Sequence, residues 1–387
     1  MTAPDERQGQ PQQVRVLIDH QVFTTQRYGG VSRYFVELAR ALEQRDDVLP
    51  RVLAPAYCNG YLQPGDPLHA ASFAWQGPSR GVRFRPALLK PIAWWAVRSF
   101  RPQVLHETSY GDCLAHLPPP TARVTTLHDM IVERFPSFFD HADLRQAGKL
   151  AALRRADAII CISASTERDL LEFYPEFAGR TTVVHHGVSQ ARATGARPAV
   201  LPDNYLLYVG TRQTYKNFAN LVKALGAAAG LPPDLKLVCF GGGAIQAHEA
   251  QLMEACGWSA ARTLQLTGDD ELLALAYRHA RLFVFPSLYE GFGMPLTEAM
   301  VQACPIACAR ASCFPEVCDE SAAYFDGEDV ADIRDCIEGL FQQPHRLAEL
   351  ASLSSARARL FTWERCASQT MDAYRLAMAI KAQGEVR

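Results

Sequence analysis

Hydrophobic and polar positions along the chain follow two alternating periods. Short apolar runs recur, bounded by glycine, proline or charged residues, and between them lie stretches with apolar residues three and four apart. The first unit is an apolar run at 14–19, a loop that ends in Gly29–Gly30, and a helical pattern at 31–42. Strands that alternate with helices predict the α/β class, with a parallel sheet covered on both faces.

This alternation continues through two blocks of similar size. Further strands of the first block are predicted at 51–54, 104–107, 124–127, 158–162 and 181–184, with helices at 142–155 and 163–173. Strands of the second block are predicted at 205–209, 236–240, 263–266, 282–285, 305–308 and 322–325, with helices at 217–228, 245–256, 269–280 and 295–303. Helical sequence then runs from 329 to the end.

The break between the blocks lacks any periodicity and is rich in glycine, alanine and proline, which is typical of a linker. A chain of 387 residues also exceeds one ordinary domain of roughly 150 residues. We therefore divide the chain into a flexible tail, a first domain, a linker, a second domain and a final helix, with the bounds 1–13, 14–190, 191–204, 205–362 and 363–387. A ligand is expected between the domains, at the carboxyl ends of the strands.

Composition narrows the classes of function. Hydrophobic residues make up 48% and charged residues 21%, which is ordinary for a globular protein and excludes a mostly disordered chain. The net charge of -2 indicates no polyanionic partner such as nucleic acid. Eleven cysteines, an odd number, without an apolar leader predict reduced thiols and a cytoplasmic location. No run approaches the roughly 20 apolar residues of a membrane span.

One segment, 80–101, differs from the rest of the chain. It contains six basic residues and no acidic one, together with Trp94, Trp95 and Phe100. Basic residues interleaved with tryptophan suit the surface of an anionic membrane, which predicts peripheral contact with the inner face of the cytoplasmic membrane. The alternative is a core helix whose arginines face water.

The most specific chemical pattern is the string LFVFPSLYEGFGMPLTEAM at 282–300. It predicts a buried strand, a loop with Glu290, Gly291 and Gly293, and a helix that carries Glu298 in its first turn. Glycines before a helix let a ligand approach the backbone, whose free N–H groups attract phosphate. Glu298 is then placed for vicinal ribose hydroxyls and Glu290 for a sugar. Taken singly, each is as well explained as a helix-stabilising acid or an exposed loop residue.

This string resembles the paired-glutamate signature of the retaining glycosyltransferases of family 4, with two glutamates eight residues apart around GFG-P. The resemblance covers nearly the whole chain, through RYGGVSRYFVELARAL, TLHDMI, RRADAIICISASTERDLL, LLYVGTRQTYKNFANLVKAL and SCFPEVCDESAAYFD. The bacterial mannosyltransferase-like branch has a similar YVGT…KN segment. The resemblance implies the GT-B fold, in which two Rossmann-like domains face each other across a cleft, and a final helix that crosses back to the first domain.

The resemblance also implies the reaction. A sugar, mannose from GDP-mannose in this branch, moves from a nucleotide-sugar to a glycan or lipid-linked acceptor with retention of configuration. No metal or other cofactor is required, and a donor phosphate oxygen takes the acceptor proton during front-face attack. His128 is placed beside the transferred sugar, Lys216 at the diphosphate, and Gly29 and Gly30 near the donor phosphates or the acceptor. The implied donor loop consists of Gly291, Phe292 and Gly293, with Glu298 on the helix.

The segment GTRQTYKN at 210–217 follows a strand and precedes a helix, so its cations are placed to neutralise a leaving diphosphate. The family often has arginine directly after the VG pair, where this chain has Thr211, and Arg212 comes one position later. We predict that Arg212 and Lys216 both serve this role. His185 and His186 stand where the family commonly has Pro-Asn, and the sequence assigns them no role.

Other patterns point to functions that the sequence does not support. Gly241–Gly243 hints at a dinucleotide loop, but Gln246 replaces the last glycine of G-x-G-x-x-G, so we assign Gly241 and Gly242 to the donor nucleotide. Four cysteines between 304 and 318 lack the C-x2-C spacing of zinc sites. Two alternatives remain open: a sugar-nucleotide 2-epimerase with the same architecture, and a non-catalytic nucleotide-sugar binding protein.

Overall fold

The structure is a computed structural model that describes residues 13–62, 69–74, 86–111, 114 and 121–385. Residues 1–12 of the predicted tail lie outside the described residues, as do Arg80, Arg83 and Arg85 of the basic segment. Within the described part, two α/β units follow each other along the chain.

The N-terminal domain is built on a parallel sheet that contains seven strands among the described residues, in the order β3-β2-β1-β4-β5-β6-β7. The strands are β1 Val14–Ile18, β2 Val48–Tyr57, β3 His69–Ala74, β4 Val104–Glu107, β5 Ala122–Leu127, β6 Ala158–Cys161 and β7 Thr181–Val183. The α-helices are α1 Gln21–Thr25, α2 Gly30–Glu43, α3 Pro86–Phe100, α4 Ile131–Arg134, α5 Ala142–Arg155 and α6 Ala164–Phe173.

The C-terminal domain has a second parallel sheet, with six described strands in the order β10-β9-β8-β11-β12-β13. The strands are β8 Tyr205–Val209, β9 Lys236–Phe240, β10 Thr263–Leu266, β11 Leu282–Phe285, β12 Ile306–Ala309 and β13 Ala323–Phe325. The α-helices are α7 Phe218–Ala227, α8 Ala247–Ala255, α9 Asp270–His279, α10 Met294–Val301, α11 Phe314–Cys318, α12 Val330–Gln342 and α13 Pro344–Ala358.

Both sheets contain a point where the strand order reverses, which positions the site. It lies between β1 and β4 in the first sheet and between β8 and β11 in the second. Loops at the carboxyl ends of neighbouring strands diverge there and leave a crevice for ligands. The loop before α2 therefore meets this crevice in the first domain, and the loops after β8 and β11 meet it in the second.

The last helix, α14 Trp363–Glu385, belongs to the N-terminal domain by its contacts. It packs against α2, β5 and β6, and buries Cys366, Met371 and Tyr374 in the core of that domain. The Tyr374 hydroxyl lies 2.8 Å from His106 Nδ1. The chain thus passes from the first domain to the second and returns, so that two crossings connect them.

The prediction of the α/β class is confirmed, with local differences. Strand β3 was not predicted, because its sequence HAASFA lacks the β-branched residues that mark strands. The helical sequence after 329 divides into three helices, and Pro344 begins the second of them. In the described part of the chain, no helix is both long and apolar enough to cross a membrane.

Candidate active site between the two domains

The loop between β11 and α10 forms the centre of the candidate site. Strand β11 is fully buried, and α10 begins after Gly293, which has a φ of 78°. This left-handed backbone is accessible to glycine without strain and turns the chain into the helix. The prediction that Glu298 lies in the first turn is wrong, because α10 begins at Met294 and its first turn carries no acidic residue.

Glu298 faces the cleft from the second turn of α10. Its Oε1 lies 3.4 Å from Arg33 Nη1, and its Oε2 accepts a hydrogen bond of 3.3 Å from the Tyr277 hydroxyl. Burial raises the pKa of Glu298 to about 6, and the opposing attraction of Arg33 only partly compensates. A carboxylate that is partly buried and weakly partnered in this way retains the capacity to accept hydrogen bonds from a ligand.

Lys216 and Glu290 form an ion pair inside the C-terminal domain. Lys216 ends the 3-10 turn Thr214–Lys216, and its Nζ lies 2.5 Å from Glu290 Oε1. The Asn217 side chain holds the turn by donating to the carbonyls of Pro286 at 3.1 Å and Gly327 at 2.7 Å. The turn after β8 and the loop after β11 are therefore joined, and the structure brings together two of the predicted catalytic residues.

Arg212, which the sequence predicts at the diphosphate, is held by partners within its own domain. Its side chain is 2% exposed and pairs with Glu249 at 2.9 Å. The other donors reach Gln265 Oε1 at 2.7 Å and the carbonyls of Gly243 at 2.9 Å and Ala244 at 3.0 Å. Since all these partners belong to the same domain, Arg212 supports the glycine loop, and Lys216 is the cation that faces Glu290.

The supported loop contains three consecutive glycines with left-handed backbones. Gly241, Gly242 and Gly243 have φ values of 78°, 74° and 79°. A Cβ at Gly242 would lie 2.5 Å from the carbonyl oxygen of Gly210. The two loops after β8 and β9 thus approach each other at backbone distance, an arrangement that side chains would prevent.

His128 of the N-terminal domain lies against the loop between β11 and α10. It follows β5, and its carbonyl oxygen would lie 1.7 Å from a Cβ on Gly291. The His128 ring lies edge-on to Tyr34, Phe35 and His186, and its Nε2 is buried with no hydrogen-bond partner among the described residues. Burial lowers the pKa of His128 to about 4, so the ring is neutral near pH 7.

Comparisons with known proteins agree with this two-domain arrangement. The family described as Glycosyltransferase Family 4 matches residues 28–192, and the family of Glycosyl transferases group 1 matches residues 194–356. Together they account for both domains.

The chain is a family 4 glycosyltransferase.

Among curated proteins, the enzyme is 28% identical over 302 residues to the O-antigen chain mannosyltransferase B of Escherichia coli, across 73% of this chain and 76% of that protein. Among solved structures, it is similar to sucrose-phosphate synthase from Thermosynechococcus elongatus, with a TM-score of 0.74, 20% identity, and coverage of 94% of this chain and 98% of the other. Anabaena Alr3699/HepE in complex with UDP and glucose gives a TM-score of 0.69 at 18% identity, over 93% and 98% of the two chains. The predicted GT-B fold is confirmed.

The glycine loop of the N-terminal domain lies against α10 of this glycosyltransferase. Gly30 is the first residue of α2, and a Cβ there would lie 3.3 Å from Met294 Cε of α10. Gly29 has a φ of 176°, an extended backbone open to any residue, but a Cβ would lie 2.5 Å from Gln26 Oε1. The sequence-predicted Gly30 thus meets α10 across the domain boundary, whereas the neighbour of Gly29 is Gln26 of its own domain.

Phe292 is buried and packs at the crossing between the domains of the enzyme. Its ring centroid lies 5.0 Å from that of His186 and 5.6 Å from that of Phe361. Both neighbours lie on the chain segments that connect the domains. They therefore give no support to the predicted contact between Phe292 and the donor. In this position Phe292 anchors the loop that carries Glu290 and Gly291.

Sequence reasoning missed two interdomain contacts. His185 Nε2 lies 2.5 Å from Glu316 Oε1, and Glu316 also accepts from the backbone N–H groups of Ala164 at 2.8 Å and Ser165 at 3.1 Å. The departure from the family at His185 signalled this site without showing its partner. Arg33 was part of a quoted motif, but nothing in the local sequence connects it to Glu298.

The sequence predicts that the reaction requires no metal ion. In the described ranges of the enzyme, no group of three or more His, Cys, Asp or Glu side chains is placed to hold a metal ion. The cysteines at 304, 308, 313 and 318 are free thiols in the core of the C-terminal domain.

Proposed function

We propose that this glycosyltransferase moves mannose from GDP-mannose onto a glycan or lipid-linked acceptor in the synthesis of a bacterial surface polysaccharide, with retention of anomeric configuration. Similarity to the O-antigen chain mannosyltransferase B over 73% of the chain supports the sugar and the pathway class. The single observation that carries the catalytic part is the meeting of Lys216, Glu290 and the His128 backbone around one loop, with Glu298 on the helix that follows.

The proposal places the donor in this cleft in the following orientation. Glu298 accepts hydrogen bonds from the vicinal ribose hydroxyls, and the free N–H groups at the start of α10 face the diphosphate. Lys216 then exchanges part of its pairing with Glu290 for the leaving diphosphate, where it stabilises the charge that develops as the sugar departs. Glu290 and His128 contact the transferred sugar, on opposite sides of the domain boundary.

In this proposal the acceptor proton passes to an oxygen of the donor phosphate. A neutral His128 then acts as a hydrogen-bond partner of the sugar, not as an acid, because burial keeps its pKa near 4. Charge neutralisation rests on Lys216 and backbone N–H groups, so transfer is expected to continue in excess EDTA. Complete loss of activity that manganese or magnesium restores would contradict this part of the proposal.

The experiment that tests the function is a donor panel with the purified enzyme. GDP-mannose, GDP-fucose, UDP-glucose and UDP-N-acetylglucosamine are each incubated with and without a mannose-terminated lipid-linked glycan, and nucleotide release is measured. We expect acceptor-dependent release of GDP from GDP-mannose and an α-linked product by NMR. Lys216→Met should lower kcat on the order of a hundredfold, as for removal of one group that stabilises a developing charge.

The panel also separates the alternatives. Faster consumption of a UDP-sugar would overturn GDP-mannose as donor and leave glycosyl transfer intact. Release of free sugar and nucleotide that does not depend on any acceptor would favour the 2-epimerase. Binding without turnover of any donor would favour a non-catalytic binding protein.

We further propose that the enzyme contacts the inner face of the cytoplasmic membrane through 80–101. In the described part of this segment, Trp94 and Trp95 on α3 are 54% and 62% exposed, and the Arg98 guanidinium lies 4.6 Å from the Trp94 ring centroid. Exposed tryptophans beside cations suit the interface of an anionic bilayer, where each cation contributes about 1 kcal/mol.

Vesicle sedimentation tests this contact. The wild type should sediment with anionic vesicles at low salt, ignore neutral vesicles, and dissociate as salt rises. Replacing Arg80, Arg83, Arg85 and Lys90 with serine should abolish sedimentation and leave nucleotide affinity unchanged. Equal, negligible binding of the wild type to both kinds of vesicle would show that this segment is a solvated surface.

A further inference from the structure

Arg33 is a cation of the N-terminal domain that reaches the donor side of the cleft. It lies in the first turn of α2, and its Nη1 is 3.4 Å from Glu298 Oε1 and 3.5 Å from Asp270 Oδ2, both in the C-terminal domain. Its side chain is 26% exposed, so water screens the two contacts only in part. Arg33 is thus a charged link between the domains at the residue proposed to hold the donor ribose.

The three residues line a cavity of about 360 Å³ at the domain boundary. This volume lies at the lower end of the range of small-molecule sites and suffices for a nucleoside. Tyr277 and Leu273 of α9 form another part of the wall. A ligand in this cavity would contact Glu298 beside Arg33, which lines the same cavity.

The charges around Glu298 come from several elements. Arg33 stands on α2, Asp270 and Glu271 at the start of α9, and Arg192 on the segment that connects the domains. The Tyr277 hydroxyl donates to Glu298 Oε2 at 3.3 Å, and burial raises the pKa of Tyr277, so this group stays a neutral donor. Among these groups, Arg33 supplies the cation closest to the carboxylate that the structure records.

We propose that Arg33 is a positioning residue that holds the Glu298 carboxylate for the donor ribose from the opposite domain. The inference rests on the proposed function, because it takes Glu298 as a donor ligand. Without Arg33 the partly buried carboxylate loses its counter-charge and protonates more readily. A protonated carboxyl group has less capacity to accept hydrogen bonds from the ribose hydroxyls.

The sign of the effect on pH dependence follows from the geometry. Burial raises the pKa of Glu298 to about 6, Arg33 lowers it, and Asp270 raises it. Without Arg33 the carboxylate protonates at a higher pH, and nucleotide affinity declines sooner as the pH falls. Without the charge of Asp270 the decline moves to lower pH. A variant that only destabilises the fold would not raise the midpoint pH of nucleotide binding when Arg33 is lost and lower it when the charge of Asp270 is lost.

The test is calorimetric binding of GDP, with UDP in parallel, between pH 5 and 8. The proteins are the wild type, Arg33→Met, Arg33→Lys, Asp270→Asn and Glu298→Gln, with Arg40→Met as the control. Arg40 lies on the same helix and pairs with Glu37, away from the cavity. The terminal phosphate of the nucleotide titrates near pH 6 in every sample, so the comparison is between variants.

We expect Arg33→Met to weaken binding about fivefold at pH 6.5 and by much less at pH 8, with the midpoint moved up. Arg33→Lys should restore most of the profile, Asp270→Asn should move the midpoint down, and Arg40→Met should match the wild type. Identical pH profiles for the wild type and Arg33→Met would overturn the role of Arg33. Wild-type affinity in Glu298→Gln would instead overturn the donor site itself, and Arg33 with it.

Discussion

The two domains touch in two regions that differ in the strength of their contacts. In the first, which we call the α6 contact, Ser163 Oγ donates to the Gly291 carbonyl at 2.7 Å and the Tyr289 hydroxyl donates to Asp169 Oδ2 at 2.5 Å. In the second, the α2 contact, Arg33 reaches Glu298 and Asp270 only at 3.4 and 3.5 Å. Short buried bonds define one region, and long ion pairs near solvent define the other.

This difference separates two tasks. The α6 contact holds the loop that carries Glu290, so this loop takes its position from both domains. Its bonds are directional and lie away from water, where each unmade bond is costly. The α2 contact lies at the cavity of the domain boundary, where long ion pairs contribute little to stability. The α6 contact therefore contributes more to holding the two domains together than the α2 contact does.

The largest expected effect comes from Gly291→Ala, which breaks the α6 contact. A Cβ there would lie 1.7 Å from the His128 carbonyl oxygen, so the loop and β5 must separate. We expect a loss of about 2–4 kcal/mol of unfolding free energy, as for overpacking against rigid backbone, and transfer activity below detection. Chemical denaturation and a transfer assay measure the two effects.

Gly339→Ala is the matched control for that substitution. Gly339 lies inside α12, and a Cβ there meets no atom of the described residues within 4 Å. Because alanine favours helix over glycine, we expect a gain of about 0.5–1 kcal/mol and unchanged transfer. Equal tolerance of both alanines would show that the loop is not fixed by the α6 contact.

Glu298→Ala is the next largest change and removes one of the two ion pairs of the α2 contact together with the proposed ligand of the donor ribose. We expect the free energy of GDP binding to weaken by about 2–3 kcal/mol, the loss of charge-assisted hydrogen bonds to the ribose. Global stability should change little, since Arg33 keeps Asp270 as a partner. Calorimetry gives the affinity and thermal unfolding the stability. Unchanged affinity would remove Glu298 from the donor site.

Glu316 of α11 is a further residue of the α6 contact, and Glu316→Gln removes its charge. Glu316 accepts from two N–H groups at the start of α6, where a carboxylate is favoured by the helix dipole. Burial raises the pKa of Glu316, but His185 and these N–H groups outweigh it and lower the pKa overall. A carboxyl group with a lowered pKa in the folded state stabilises the protein above its unfolded pKa, and this stabilisation is lost as the pH falls.

We therefore expect Glu316→Gln to cost about 1–2 kcal/mol at pH 7, the usual value of a helix N-cap. The difference from the wild type should shrink below about pH 4.5, where the unfolded carboxyl group protonates. Urea denaturation at pH 7 and pH 4 gives both numbers. A difference that is the same at both pH values would mean that charge plays no part in this contact.

The sequence singled out candidate residues of the site but not the partners of their side chains. Glu290 and Lys216 were chosen because a buried strand, a glycine loop and a helix leave a local pattern, and the structure pairs their side chains. The partner of Arg212 was not predicted, because Glu249 lies 37 residues later on α8. A local pattern does not show which way a side chain turns when a buried carboxylate from another element competes for it.

The interdomain contacts were beyond prediction for the same reason. Glu316 and Ala164 are 152 residues apart, and Ser163 and Gly291 are 128 apart. In the structure the Ser163 side chain caps α6 at Thr166 N and also binds the Gly291 carbonyl of the loop. The fold class followed from periodicity alone, whereas these pairs depend on how two complete domains meet.

Tyr289→Phe is the smallest expected change and measures the part of one hydroxyl group in the α6 contact. The Tyr289 hydroxyl donates to Asp169 Oδ2 and accepts from Met130 N–H at 3.2 Å. Phenylalanine keeps the ring in its cluster beside Phe135, and Asp169 keeps Arg134 as a partner at 2.6 Å. The loss is thus two hydrogen bonds, about 1 kcal/mol in total. Urea denaturation measures it, and Tyr324→Phe, whose hydroxyl lies near solvent on Asp319 O, serves as the control. If Tyr289→Phe loses no more free energy of unfolding than the control does, then the stability of the α6 contact comes from Glu316 and Ser163 and not from Tyr289.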